Sequence, residues 1–226
     1  MTTETITLKA DDGHELTAYS ARPKAESQRR GGVVVLQEIF GVNRHIREVT
    51  EGFAAEGYFA IAPALYDRSS RRGVELGYTS DDVQLGRKLR EEFSWDDSMR
   101  DIDAARSLLA SEGLPVGTVG YCWGGSISFL AATRLDVQAA VVYYGGQILP
   151  YVEESERCPL LMHFGTKDES IPLESVETIR KAHPSATIHL YDADHGFNCN
   201  LRASYNETAA RLARERTIAF FEQHLT

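Results

Sequence analysis

The sequence predicts a single-domain α/β protein: a mostly parallel central sheet with helices on both faces. Three observations carry this. Short continuous apolar runs recur along the chain, as expected of strands buried on both faces. Segments of helical periodicity separate them, which requires crossover connections and therefore parallel pairing. One run ends in Val119-Gly120-Tyr121-Cys122-Trp123-Gly124-Gly125, where small residues crowd a turn between a strand and a helix.

Taken in order, residues 5–19 alternate weakly around Asp11-Asp12-Gly13 and read as a hairpin at the sheet edge. A polar connection over residues 23–30 leads to Gly31-Gly32 and the buried strand Val33-Val34-Val35-Leu36. Asn43 is placed to cap a helix over residues 44–56, with Ile46, Val49, Phe53 and Ala54 inward. Gly57 ends it, and residues 58–62 form the next strand, stopped by Pro63. Residues 64–86 show no regular pattern and read as a surface excursion or as a wall of the site. A helical pattern resumes by Val83 and runs towards Phe93; Trp95 either packs or borders a pocket. A cleaner amphipathic helix covers residues 96–110, with Met99, Ile102, Ala105, Leu108 and Leu109 on its apolar side. Gly113 and Pro115 break it before the strand over residues 116–119. The small, apolar segment 125–132 reads as a helix buried behind Cys122. Strands follow at residues 137–144, 159–164 and 187–191, with a helix over residues 172–182 and a final helix over residues 206–224.

The 226 residues suffice for one well-cored domain and are short for two. A formal charge of −9 argues against a nucleic-acid or anionic-membrane partner. No apolar stretch reaches transmembrane length, and the start has no basic region followed by an apolar core. Three cysteines do not make a disulfide framework. A cytoplasmic protein is expected, monomeric or at most dimeric, with neither nucleic acid nor membrane as partner.

Gly120-x-Cys122-x-Gly124 is the nucleophile-elbow pattern G-x-S-x-G with cysteine in the serine position. A nucleophile at the tip of a strand-to-helix turn has strained backbone angles, and Cβ atoms at Gly120 and Gly124 would strike the neighbouring strand and helix. The positive end of the following helix then faces the sulfur and favours thiolate. Asp168 lies just past one strand and His195 just past the last. The order nucleophile, acid, histidine is that of the α/β-hydrolase fold. Glu38, directly after a buried strand, is costly there unless exposed or partnered. Ile39 beside it offers a backbone N–H for an oxyanion hole. A binding-only protein has no reason to hold Cys122, Asp168, His195 and Glu38 at these strand ends. A dinucleotide enzyme would need G-x-G-x-x-G, which Gly120-x-Cys122-x-Gly124-Gly125 does not match. His163, His195 and Cys199 lack short metal-ligand spacing. His163 reads as a satisfied residue near a strand end, Cys158 as structural, and His45, His183, His189 and His224 carry no signal.

Gln37-Glu38-Ile39-Phe40-Gly41, the elbow, Tyr143-Tyr144-Gly145, the segment ending at Asp168 and Asp194-His195-Gly196-Phe197 together resemble the dienelactone hydrolase (carboxymethylenebutenolidase) family, over nearly the whole chain. The resemblance implies opening of the lactone ring of dienelactone to maleylacetate, as in the breakdown of chlorinated aromatics, with no metal or organic cofactor. It implies Cys122 as nucleophile, His195 and Asp168 as its partners, and the backbone N–H groups of Ile39 and Trp123 as oxyanion donors. Glu38 matches a glutamate that receives the thiol's hydrogen bond at rest and helps deprotonate it when substrate binds.

Family members hold the substrate carboxylate with arginines. Where one of these falls shortly after the histidine, this chain has Cys199, with Arg202 close by; where the other falls, it has about Val83, with Arg87 one turn later. Arg87, Arg202, Tyr144 and Phe40 are the candidate substrate-binding residues. Arg68, Arg71 and Arg72 are expected to add positive charge at the mouth. The reactants expected are a small ester or lactone, led by a carboxylate-bearing butenolide, and water; the alternative is a broader carboxylesterase acting on neutral esters.

Overall fold

β1 (Thr2–Lys9) and β2 (Glu15–Arg22) form the edge hairpin, longer at both ends than its weak alternation suggests. A computed structural model describes residues 1–24 and 30–225. The polar connection expected over residues 23–30 falls largely outside the described residues. β3 (Gly31–Leu36), β4 (Tyr58–Pro63), β5 (Val116–Tyr121), β6 (Ala139–Tyr143), β7 (Leu160–Gly165) and β8 (Thr187–Tyr191) follow. All eight strands lie in one sheet of order β1-β2-β4-β3-β5-β6-β7-β8. β2 runs antiparallel to both its neighbours, and every pair from β4 to β8 is parallel. β3 to β7 are buried along their whole length, which explains their unbroken apolar runs.

The helices are α1 (Arg44–Ala55), α2 (Ser80–Arg90), α3 (Trp95–Ser111), α4 (Trp123–Arg134), α5 (Leu173–Ala182) and α6 (Glu207–His224). α1 and α6 meet on one face through Phe53 and Phe221, whose rings lie 5.9 Å apart. α3 and α4 pack on the other. Side chains alternate accordingly. Thr118 of β5 shares a hydrogen bond of 2.8 Å with Ser128 of α4, while Tyr143 of β6 reaches Thr217 of α6 at 2.7 Å. α4 is buried from Trp123 to Thr133, which only small and apolar residues permit. Asn43 accepts from the Ile46 N–H and caps α1, as the sequence suggested.

Several boundaries differ from expectation, and three of them have a local reason. α2 starts at Ser80, inside the segment read as irregular, because Thr79 and Asp82 close a capping box. A second box, Ser94 with Asp97, starts α3 at Trp95 and separates it from α2. β6 stops at Tyr143 because Tyr144 adopts φ 39°. Residues 64–79 are more than a surface excursion: Leu65, Tyr66 and Asp67 are buried, and Asp67 accepts from the Thr17 N–H at 2.7 Å and the Gly73 N–H at 2.8 Å. Arg68 corrects the expectation that it adds charge at the mouth. It makes a two-point pair with fully buried Asp101, at 2.8 Å on both sides, and a third bond to Asp12. Arg72 is drawn to Asp67 at 3.5 Å and Arg71 is exposed; neither lines the cleft described below.

Arg68→Ala would leave Asp101 charged and unpaired in the interior. The expected loss is about 3–5 kcal/mol of stability, read as a lowered urea midpoint, with the folded fraction keeping its turnover. An unchanged midpoint would show that the pair holds nothing together.

Candidate active site

The sheet register delivers the site. Leu36 of β3 pairs with Gly120 of β5, so Glu38 and Cys122 each leave the sheet two residues later, on adjacent strands. β7 and β8 end side by side at Gly165 and Tyr191, and Asp168 and His195 follow them. Four chemically active side chains thus come from four strand ends on the carboxyl edge of the sheet, where open α/β sheets bind ligands.

Cys122 sits at φ 56°, ψ −116° as the N-cap of α4. Its N–H donates to the Tyr143 carbonyl at 3.0 Å, tying the elbow to β6. The neighbouring glycines are required by space. A Cβ on Gly120 would lie 1.8 Å from the Gly124 oxygen, and one on Gly124 would lie 2.4 Å from the Leu36 oxygen. Strand, turn and helix are therefore pressed together as the sequence implied.

Asp168 accepts from His195 Nδ1 at 2.7 Å. The carboxylate is buried, with the Ser170 N–H on its other oxygen at 2.9 Å. His195 also hydrogen-bonds Cys122, and with Nδ1 occupied it is Nε2 that is left for the sulfur. Burial would push this imidazole down, but the neighbouring Cys122 and the Asp168 carboxylate outweigh it and hold the ring up at about 10. Tyr144 stacks edge-on against His195 with centroids 5.1 Å apart.

Ile39 and Trp123 are braced rather than merely adjacent. Trp123 is the first residue of α4, so its N–H lies outside the intrahelical ladder. The Tyr66 hydroxyl lies 2.9 Å from both the Ile39 and Gly86 carbonyls and shares its proton between them. Its ring stacks on Trp123 at 5.7 Å. One tyrosine from the segment read as irregular thus holds both Ile39 and Trp123 in place.

Cys122, His195, Ile39, Trp123 and Phe40 line one cleft of about 460 Å³, together with Val83, Arg87, Arg90, Ser126, Gln147 and Arg202. Arg202 points inward, and its Nη1 donates to Glu38 Oε1 at 2.9 Å. Gly196 makes this possible: it has φ 79°, and a Cβ there would lie 2.3 Å from Arg202 Nη1. Arg87 is exposed at the rim. Arg90, one turn further along α2, hydrogen-bonds Gln147 across the cleft.

Two expectations are corrected. Tyr144 does not line the cleft; it is fully buried behind His195. Glu38 does not carry the thiol's hydrogen bond here. Its Oε1 is held by Arg202, its buried Oε2 has no hydrogen-bond partner, and Cys122 turns to His195 instead. Arg90 was missed. Val83, Arg87 and Arg90 share a face once the helix is started at its Thr79–Asp82 box, so the signal was present in the sequence. His163 is satisfied as expected, between Tyr191 at 2.8 Å and Thr217 at 3.1 Å.

The dienelactone hydrolase family model matches residues 16–225. The chain belongs to the dienelactone hydrolase family. It is 38% identical over 230 residues to a Synechocystis protein named as a presumed carboxymethylenebutenolidase, covering 93% of each chain. It is 34% identical over 232 residues to the carboxymethylenebutenolidase of Pseudomonas putida, covering 97% of this chain and 96% of that one. Its fold superposes on the crystal structure of a Klebsiella pneumoniae protein, a presumed dienelactone hydrolase, with a TM-score of 0.86 at 33% identity, over 99% of this chain and 100% of the other. Membership makes the chain a cysteine-based hydrolase of carboxylic esters or lactones, with a small molecule and water as its reactants. Among the described residues no helix is long and apolar enough to cross a membrane.

The environment of His195 gives a signed expectation. Its pKa is raised in the folded state, so the stability it contributes is fully present below about pH 6.5 and is lost as pH rises towards about 10. An NMR titration of the His195 ring should show a midpoint well above 6.5, lowered in Cys122→Ala. A wild-type midpoint at or below the ordinary value would refute the coupling.

Proposed function

We propose that this protein opens a small carboxylate-bearing enol lactone such as dienelactone, through an acyl-enzyme on Cys122. The observation that carries the reading is the run Asp168–His195–Cys122 ending in a cleft that holds three guanidinium groups. The names of the relatives in Synechocystis and Pseudomonas putida point the same way. A reducing cytoplasm suits a thiol nucleophile and three free cysteines.

In the first step the Cys122 sulfur attacks the lactone carbonyl, and the Ile39 and Trp123 N–H groups receive the developing oxyanion. Collapse breaks the ring C–O bond. The enol oxygen leaves, takes a proton from His195 and stays tethered to the acyl group. His195, oriented by Asp168, then removes a proton from water, which attacks the thioester and releases the acid and the free sulfur. Ketonisation of the freed enol follows without further help from the chain. Glu38 takes the thiol proton when substrate arrives. A substrate carboxylate attracts Arg202, and each hydrogen bond it draws from Glu38 Oε1 leaves that carboxylate freer to accept a proton. Arg87 and Arg90 offer further charge from α2.

Cys122→Ala should keep the fold and lose turnover, and Glu38→Gln should slow acylation with little change in KM. Pre-steady-state release of the enol measures both; an unchanged acylation rate in Glu38→Gln would remove it from the mechanism.

The carboxylate is the sharper point. Dienelactone should exceed its methyl ester in kcat/KM by tenfold or more, since a hydrogen bond to a charged group contributes about 1.5–3 kcal/mol. Arg87→Met and Arg90→Met should narrow that gap through KM, whereas Arg202→Met should also lower kcat because it strips Glu38. If the ester and simple aryl acetates match dienelactone, the protein is a broad carboxylesterase instead.

A further inference from the structure

Behind the cleft, three metal-capable side chains meet. A ring nitrogen of His45, the sulfur of Cys199 and a carboxylate oxygen of Glu38 all lie within 4.8 Å of one another. They come from separate elements: the first turn of α1, the loop between β8 and α6, and the end of β3. The three residues are 3%, 0% and 1% exposed. Two of their atoms, His45 Nε2 and Glu38 Oε2, are buried without a hydrogen-bond partner. Interiors rarely leave such atoms unpaired, and here both belong to the same small group.

We propose that Glu38, His45 and Cys199 form a site for a borderline-soft divalent cation of the Zn²⁺ class. Nitrogen, thiolate and carboxylate are the donors that ion takes, at about 2.0–2.3 Å each, with water completing a tetrahedron. The present spacing needs only a modest inward swing. Burial keeps His45 low and therefore neutral, with its lone pair available. Asn200 offers the imidazole a side-chain hydrogen bond, as a metal-bound histidine usually has. Cys199 rests as a neutral thiol, pushed up by burial and by Glu38. On binding, the cation takes the place of the thiol proton, which passes to the buffer, and bonds form to sulfur, nitrogen and oxygen with no change of oxidation state. Arg202 and the start of α1 oppose a cation; the Glu38 carboxylate and the Cys199 thiolate supply two negative charges against them. Access comes from the back. A cavity of about 500 Å³ between α1 and α6 is lined by His45, Asn198 and Asn200, so the ion need not cross the catalytic cleft.

The consequence for catalysis rests on the role proposed for Glu38 as the acceptor of the thiol proton: a bound cation would occupy that carboxylate and inhibit the enzyme. The test separates the two ideas. Co²⁺ is titrated into the full-length Cys122→Ser protein, which removes the competing active-site thiol. One Co²⁺ per chain should bind, with a near-ultraviolet thiolate-to-cobalt band that Zn²⁺ displaces. Adding Cys199→Ser should abolish the band, and adding His45→Gln should weaken binding at least tenfold. X-ray absorption on the Co²⁺-loaded Cys122→Ser protein should count one sulfur and one imidazole, which needs no change at the buried site. No band, a band that survives Cys199→Ser, or a sulfur-free shell overturns the site. In the wild type, Zn²⁺ should slow turnover, and Cys199→Ser should be at least tenfold less sensitive. If Co²⁺ binds through Cys199 while Zn²⁺ leaves turnover untouched, the cation site stands and the role given to Glu38 falls.

Discussion

The elbow at Cys122 is the constraint that the surrounding structure answers to. A non-glycine residue at φ 56° is held only where its neighbours over-determine it. Here the close approach of β5, α4 and the end of β3 does so, and it is possible only because Gly120 and Gly124 present no Cβ. α4 must then start directly beneath the sulfur and run through the interior, which explains why its residues are small or apolar on every side. The register between β3 and β5 follows from the same contact, and with it the placement of Glu38 and Cys122 beyond adjacent strand ends. One strained residue thus fixes a helix and two strand ends.

Charge inside the cleft runs against charge outside. The protein carries a formal −9, yet the cleft is lined by Arg87, Arg90 and Arg202, the last paired with buried Glu38. A buried ion pair is poor evidence of stability, because desolvating both groups offsets most of their attraction. Glu38 with Arg202 is therefore better explained by chemistry than by folding. Arg68 with Asp101 uses the same groups in the opposite sense. There the guanidinium spans Asp12, Asp97 and Asp101 between the hairpin and α3, away from any reacting group. What distinguishes the two pairs is that Arg202 also faces the cleft that holds Cys122.

What the sequence disclosed follows the same division. The buried strands, α1, the long final helix and the order of Cys122, Asp168 and His195 were legible because each depends on local pattern: continuous apolar runs, helical period, and turns that admit only small residues. The start of α2 was legible in principle, since Thr79 and Asp82 spell a capping box, but the polar segment before it hid the signal. Tyr66 was not legible, because bracing Ile39 and Gly86 depends on contacts between elements. Arg68, Arg71 and Arg72 look alike in sequence to Arg87, and only the positions of Asp12, Asp67 and Asp101 decide which guanidinium stays free. Tyr144 was misplaced for a related reason. Proximity to a strand end says that a residue is near the site, not which side of His195 it occupies.

Two cysteines near one glutamate show how far position governs thiol chemistry. Cys122 is partly exposed, caps a helix, and meets His195 on the cleft side. Cys199 is buried, touches the Tyr78 hydroxyl at 3.2 Å, and is held protonated by the lack of water and by Glu38. The first has an electropositive frame and room for an acyl group; the second has neither. On the mechanism proposed above, exchanging sulfur for oxygen at Cys199 would disturb packing and local polarity but not acyl transfer, while the same exchange at Cys122 would remove a polarisable nucleophile. Glu38 touches both environments, with one oxygen on Arg202 and the other towards the buried cluster. On the role proposed for it, its burial between them would make it the residue through which a cation behind the cleft reaches the reaction in front of it.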